Sequence, residues 1–255
     1  MCLIVFAHYT HPKYPFILLA NRDEYYERPT QQLGFWDEEA ALIGGRDLRA
    51  GGTWLAMNRS GAFAAVTNVR MSVVQPHAKS RGYLPIDFLK SSQTSQAYMK
   101  RLLNQKLMYN GFNLLTRREE TLFHYNNQVG IINQVSPGIH GLCNASLNTS
   151  WPKLEKLKKR FKLVIEKDFD KEELLNLMMD KEKFQDELLP ETGITREMER
   201  ALSSIFIDMP TYGTRSTALI IIDNQNVVDL TEITHKPKKK IIKSILPSKY
   251  YEQVI

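Results

Sequence analysis

Apolar positions crowd residues 2–9 and 16–21, and the turn-like Thr10–Pro15 segment between them carries two prolines. Short apolar runs bounded by turn residues predict two strands joined as a hairpin. Residues 53–58 and 62–68 repeat the pattern around Arg59-Ser60-Gly61, and 112–116, 121–125 and 129–133 predict three more strands. The Gly44–Asp47 and Gly51–Trp54 stretches predict sharp turns that feed the 53–58 strand.

The period changes elsewhere. Residues 84–90 and 95–107 are helix candidates. Leu154, Leu157, Phe161 and Val164 form an apolar stripe at helical spacing, which predicts a helix from Pro152, a favoured first-turn residue, to 167. A second helix is expected over 172–179. Residues 181–200 lack a clear period and predict a loop with a short helix. Strands are then expected at 203–208, 216–222 and 226–233. Strands in runs with helices grouped between them argue for layered α+β architecture rather than an alternating parallel sheet. No internal repeat or linker divides the chain, so residues 1–255 are expected to form one domain with a basic C-terminal segment near 236–255.

Composition narrows the classes. The chain has 255 residues, 43% hydrophobic and 24% charged, which is ordinary for a globular protein. No stretch approaches the roughly 20 apolar residues of a membrane span. The apolar start has no basic residues before it, as a signal peptide requires, so a cytoplasmic protein is expected. The net charge of +6 is concentrated in the lysines of 236–243, and the rest is nearly neutral. That segment reads as a solvated tail or a contact for phosphate or an anionic membrane surface. Without interleaved aromatics it does not suggest nucleic-acid binding. Cys2 and Cys143 are too few for a disulfide framework. One bridge between them stays open, although a reducing compartment favours free thiols.

Candidate chemistry begins at Cys2. Removal of Met1 would leave a thiol and an α-amine on one carbon, and the amine titrates at about 7.7–8.0. That pair is a nucleophile with its own base. The plainer reading is a small buried hydrophobe at a strand start. Asn21-Arg22-Asp23-Glu24 follows a strongly apolar strand, where a guanidinium can lower a thiol's pKa and a carboxylate can hold a cation in place. Adjacent strand residues face opposite ways, so Arg22 and Asp23 share a site only if the chain turns there. Asn68 and Asn144 end apolar runs and offer neutral donors for an oxyanion. Arg215 sits where a turn enters a strand. The six histidines are scattered, and no zincin, CxxC, phosphate-loop or GxSxG motif occurs.

Taken in order, several segments resemble one family. They are MCLIVFAH at the start, NRDE at 21–24 with Arg28-Pro29, GGRDLRAGGTW at 44–54, TNVR at 67–70, SRG at 80–82, GLCNASLNTSWPKL at 141–154 and YGTRSTALIIID at 212–223. This pattern is similar to the NRDE, or transport and Golgi organisation protein 2, family. The resemblance implies a four-layer αββα sandwich of the N-terminal-nucleophile hydrolase type, two stacked antiparallel sheets between helical layers. Through a more distant likeness to cysteine amidases, it also implies a site. Cys2 would be the nucleophile. Arg22 and Asp23 would orient the thiol and amine, and Glu24 is open as the acid. Asn68 would donate to the oxyanion, Asn144 would hold the amine or the oxyanion, and Arg215 would support them. Cys143 falls where serine is more usual, with no role implied.

Two functions follow from the resemblance. One is an amidase that cleaves a non-peptide C–N bond of a small acyl or amide substrate through a Cys2 thioester, with no cofactor. The other is a non-catalytic carrier of haem or of a hydrophobic acyl ligand, with Cys2 or His8 as an iron ligand. The sequence fixes neither the ligand nor the oligomeric state.

Overall fold

The computed structural model describes residues 2–36, 42–71 and 73–236, together with the backbone of a last strand at 240–246. Thirteen strands form two antiparallel sheets. In chain order, β1 (Cys2–His8) and β2 (Phe16–Tyr25) make the expected hairpin, and β3 (Thr30–Phe35), β4 (Leu42–Asp47), β5 (Leu55–Asn58) and β6 (Phe63–Asn68) follow. After two helices come β7 (Phe112–Arg118), β8 (Thr121–Asn126), β9 (Ile131–Gln134) and β10 (Gly138–Leu142). The chain closes with β11 (Tyr212–Ile222), β12 (Val228–Thr234) and β13 (Lys240–Leu246). One sheet has the order β10-β1-β2-β11-β12-β13, and the other runs β3 to β9 in sequence.

Strand alternation explains the layers. In β1, Ile4 and Phe6 face the second sheet and join Leu18, Phe63, Leu115 and Ile220 in the central core. Leu3, Val5 and Ala7 face the other way. There they meet Leu154, Leu157 and Phe161 of α3 (Pro152–Ile165) and Leu174 of α4 (Lys171–Leu177). On the far side of the second sheet, α1 (Tyr83–Lys90) and α2 (Ser95–Leu103) cover Ala56, Ala64 and Leu114. The result is the αββα sandwich that the resemblance implied. The α3 stripe is buried as its spacing predicts. A short α5 (Arg196–Ala201) falls within the mixed segment. No helix among the described residues is long and apolar enough to cross a membrane.

Several expectations need correction. Residues 203–208 are not a strand. Ile205, Phe206 and Ile207 are buried, but the backbone N–H of Phe206 bonds to the Asp180 carbonyl in an irregular segment. Pairing is confined to the end of the run, where the Ile207 carbonyl accepts from the Thr214 N–H and Asp208 forms an isolated bridge with Gly213 of β11. Gly44–Asp47 is not a turn but lies within β4. Its glycines serve close packing: a Cβ on Gly45 would lie 2.2 Å from the Trp54 ring. The helix candidate 95–107 ends at Leu103 and gives way to a 3-10 turn at Lys106–Met108. Of the basic segment, 237–239 and the side chains of 240–246 lie outside the described residues. The backbone of β13 nevertheless pairs with β12.

Candidate active site

The β1–β2 register places Cys2 directly opposite Arg22. Paired residues in an antiparallel ladder share a face, and these two share the inter-sheet face of Ile4 and Ala20. Cys2 therefore sits at the end of the central core, where the two sheets part into a cleft of about 320 Å³. Cys2, Arg22, Asp23 and Asn68 all line it. Asn144 and Arg215 do not line it.

Arg22 is only 5% exposed. Its guanidinium lies 4.1 Å from the Trp54 ring centroid and donates to Thr30 Oγ1 at 3.1 Å. No carboxylate among the described residues is within salt-bridge distance of it. Burial lowers its pKa, and the neighbouring Cys2 and Glu24 oppose that shift. Burial raises the Cys2 thiol, and Asp23 adds to the rise while Arg22 pulls against it. The resting side chain is thus a protonated thiol near neutral pH.

Asp23 occupies the opposite face of β2 but lies where β2 runs on past Cys2, so it reaches the cleft around the end of β1. The chain does not need to turn. Asp23 is 2% exposed, and its Oδ1 accepts from Thr214 Oγ1 at 2.7 Å. Burial raises its pKa, and nearby Lys153 and the Thr214 hydroxyl moderate the rise. Glu24 also lines the cleft, and its Oε1 accepts from the Tyr25 N–H at 2.9 Å.

The supporting arginine acts through the backbone. The β2–β11 register shifts between Thr214 and Ser216, and Arg215 occupies this bulge. Its Nη1 donates to the Tyr25 carbonyl at 2.8 Å and to the Arg28 carbonyl at 2.7 Å, pinning the end of β2 to the turn that carries Arg28. Asn144 is buried behind the site. Its amide donates to the Asn68 carbonyl at 2.9 Å, and its own carbonyl accepts from the Arg70 N–H at 2.8 Å. This anchors the end of β6. The Asn68 side-chain amide makes no hydrogen bond to another described residue, so its donors are available to the cleft. Cys143 is buried against α3, on the other face of the first sheet, and both cysteines are free.

Trp54, which the sequence leaves open as a pocket or core residue, lines the cleft. The charged far wall was missed: Arg81, Lys79, Arg28 and Asp47 also line it. Arg28 Nε pairs with Asp47 Oδ2 at 2.7 Å. Arg81 arrives on the loop before α1 because Gly52 and Gly82 touch. A Cβ on Gly52 would lie 2.5 Å from the Gly82 backbone, and the Thr53 N–H donates to the Gly82 carbonyl at 2.9 Å. The SRG string at 80–82 was the available signal, but its spacing alone names no chemistry. No histidine lines the cleft, and no cluster of metal-ligating residues occurs among the described residues.

Comparison with known proteins agrees with this arrangement of motifs. The family model described as Transport and Golgi organisation 2 matches residues 1–237. A mouse Transport and Golgi organization 2 homolog is 32% identical, over 91% of this chain and 92% of its own. The human homolog is 31% identical over the same shares, and the Drosophila melanogaster protein is 26% identical over 92% of each chain. Among solved structures, a Caenorhabditis elegans N-acylethanolamine-hydrolyzing acid amidase ortholog superposes with a TM-score of 0.49 at 9% identity, covering 86% of this chain and 92% of its own. The conjugated bile acid hydrolase of Clostridium perfringens gives a TM-score of 0.44 at 10% identity, over 95% and 92%. With a family match across nearly its whole length, the chain belongs to the Transport and Golgi organisation 2 family.

Proposed function

We propose that this protein is a cysteine amidohydrolase of the N-terminal-nucleophile type, cleaving a non-peptide C–N bond through a thioester on Cys2. One observation carries the reading: Cys2 and Arg22 oppose each other on one face of the β1–β2 pair at a cleft that Asp23 and Asn68 also line. A thiol raised by burial needs a base in contact with it. No imidazole lines the cleft, and in this reading the base is the α-amine that removal of Met1 creates on Cys2 itself.

In this reading the amine takes the thiol proton, Arg22 supports the thiolate, and the buried Asp23 carboxylate holds the resulting ammonium. The sulfur attacks the substrate carbonyl, and the electron pair of the C=O bond moves to oxygen. The free Asn68 amide donates to that oxyanion, a contact that strengthens as charge develops. Collapse re-forms the carbonyl and expels the amine, which leaves with the proton held by the ammonium. Water then attacks the thioester and releases the carboxylic acid and the Cys2 thiol.

The test is amine release from a panel of N-acyl amines by wild type and Cys2→Ala, with circular dichroism to follow the fold. Turnover is expected in the wild type and lost in the folded variant. Equal turnover by the variant overturns the reading. A haem carrier would also use Cys2, and a saturable Soret shift abolished in Cys2→Ala tests that alternative. His8 packs between Tyr9 and Phe16 and is not among the cleft residues.

A further inference from the structure

The cleft holds more cationic charge than the proposed chemistry uses. Arg28 is neutralised by Asp47 at 2.7 Å and approached by Glu24 at 4.0 Å. Arg22, Lys79 and Arg81 have no carboxylate within salt-bridge distance among the described residues. Arg81 is half-buried, and its Nη1 is held by the Gly111 carbonyl at 2.9 Å. Its field reaches both Cys2 and Glu24. Lys79 stands exposed at the rim of the same wall. A guanidinium taken partly out of water without a counter-charge favours an incoming anion, and low-dielectric walls concentrate that attraction. The lining is mostly polar, and a volume of about 320 Å³ lies at the small end of ligand pockets. A long acyl chain finds little apolar wall here.

We propose that Arg81, with Lys79 at the rim and Arg22 at the floor, selects small substrates that carry an anionic group, a carboxylate or a phosphate, near the bond that Cys2 attacks. This deepens the amidohydrolase reading and rests on it for the word substrate. The anion preference itself needs only the cleft and the thiol. Arg22 serves both roles, so Arg81 is the residue whose removal separates selection from thiol activation.

The experiment compares iodoacetate with neutral iodoacetamide as alkylating probes of Cys2, followed by mass spectrometry of the Cys2 peptide. In each case the thiolate sulfur bonds to the probe's methylene carbon, iodide leaves, and the thiol proton passes to solvent. No turnover and no free α-amine are required, so failure here is distinct from failure of the hydrolase reading. The rate ratio of iodoacetate to iodoacetamide is expected to be about tenfold higher in the folded protein than in the same protein unfolded in urea. It should fall toward the unfolded ratio in folded Arg81→Gln and with added salt, and be restored in Arg81→Lys. Lys79→Met, at an exposed position, is expected to lower the ratio less, and it provides a second test should Arg81→Gln not fold. Protection of Cys2 by succinate identifies a carboxylate site, and protection by inorganic phosphate a phosphate site. A folded ratio no higher than the unfolded one, a ratio unchanged in both variants, or no protection by either anion overturns the proposal.

Discussion

Arg22→Met isolates what the buried guanidinium does to Cys2. Methionine keeps an unbranched stem of similar length against Trp54, so the change removes the charge and leaves much of the packing. An opposite charge within contact range of an acid lowers its pKa by about 1–3 units. Arg22 faces Cys2 across one ladder rung and opposes the burial that raises the thiol. Removing it destabilises the thiolate, so the Cys2 pKa moves further up. At a fixed pH below the midpoint, the thiolate fraction falls about tenfold for each ~1.4 kcal/mol of attraction lost. The stability terms oppose one another. The variant loses a cation–π contact of about 2 kcal/mol and a charged hydrogen bond to Thr30 of about 1.5–3 kcal/mol. It is relieved of a desolvation cost of several kcal/mol. The fold should therefore survive while the thiol changes. The assay is the pH dependence of iodoacetamide labelling at Cys2, with urea titration alongside. A labelling midpoint unmoved in a folded Arg22→Met protein would refute the assignment of Arg22 to the thiol.

Other predictions test how the scaffold holds the site. Gly45→Ala drives a methyl group to 2.2 Å from the Trp54 ring, and the displaced indole should lower stability by about 1–3 kcal/mol and change Trp fluorescence. Glu199→Ala removes the carboxylate from a 2.6 Å ion pair with Arg70 whose partners are 9% and 4% exposed, while Arg70 keeps its bond to Thr192 Oγ1, and should cost about 3 kcal/mol by urea unfolding. Glu232 is 3% exposed and burial raises its pKa, so the folded state binds its proton more tightly than the unfolded chain does. Its contribution to stability falls as pH rises from the ordinary glutamate value through the raised one. Glu232→Gln should flatten that slope and unfold at higher urea than wild type at neutral pH; an unchanged slope counts against the burial argument.

Much of this arrangement was legible before the structure. The dense apolar runs at 2–9 and 16–21 gave β1 and β2, and the α3 stripe gave its buried face. What escaped was structure defined by distant partners. Thr30–Phe35 reads as polar because it opens on Thr30, Gln31 and Gln32, and its register on β4 slips between Gln31 and Gly34. The Gly44-Gly45 pair resembles a turn until Trp54 and Ala56 are packed against it. Residues 205–207 carry strand-like apolarity but form no strand: Phe206 bonds to Asp180, and only Ile207 meets β11, through Thr214. Cys2, Arg22, Asp23 and Asn68 were named from the residues and the family motifs; all four line one cleft, and the β1–β2 register accounts for Cys2 meeting Arg22. Arg81 was not singled out, because its place depends on two glycines 30 residues apart touching. Asn144 and Arg215 were placed in the site by resemblance; Asn144 bonds the backbone of Asn68 and Arg215 that of Tyr25 and Arg28, of which Asn68 and Arg28 line the cleft.

The proposed mechanism requires Cys2 to be the first residue of the working protein, since only then does Cys2 carry its own base. The most direct measurement is the intact mass of the protein purified from its native host. A chain that begins at Cys2 is the predicted result. A retained Met1 would contradict the mechanism, leaving a half-buried thiol with no amine on the same residue to activate it.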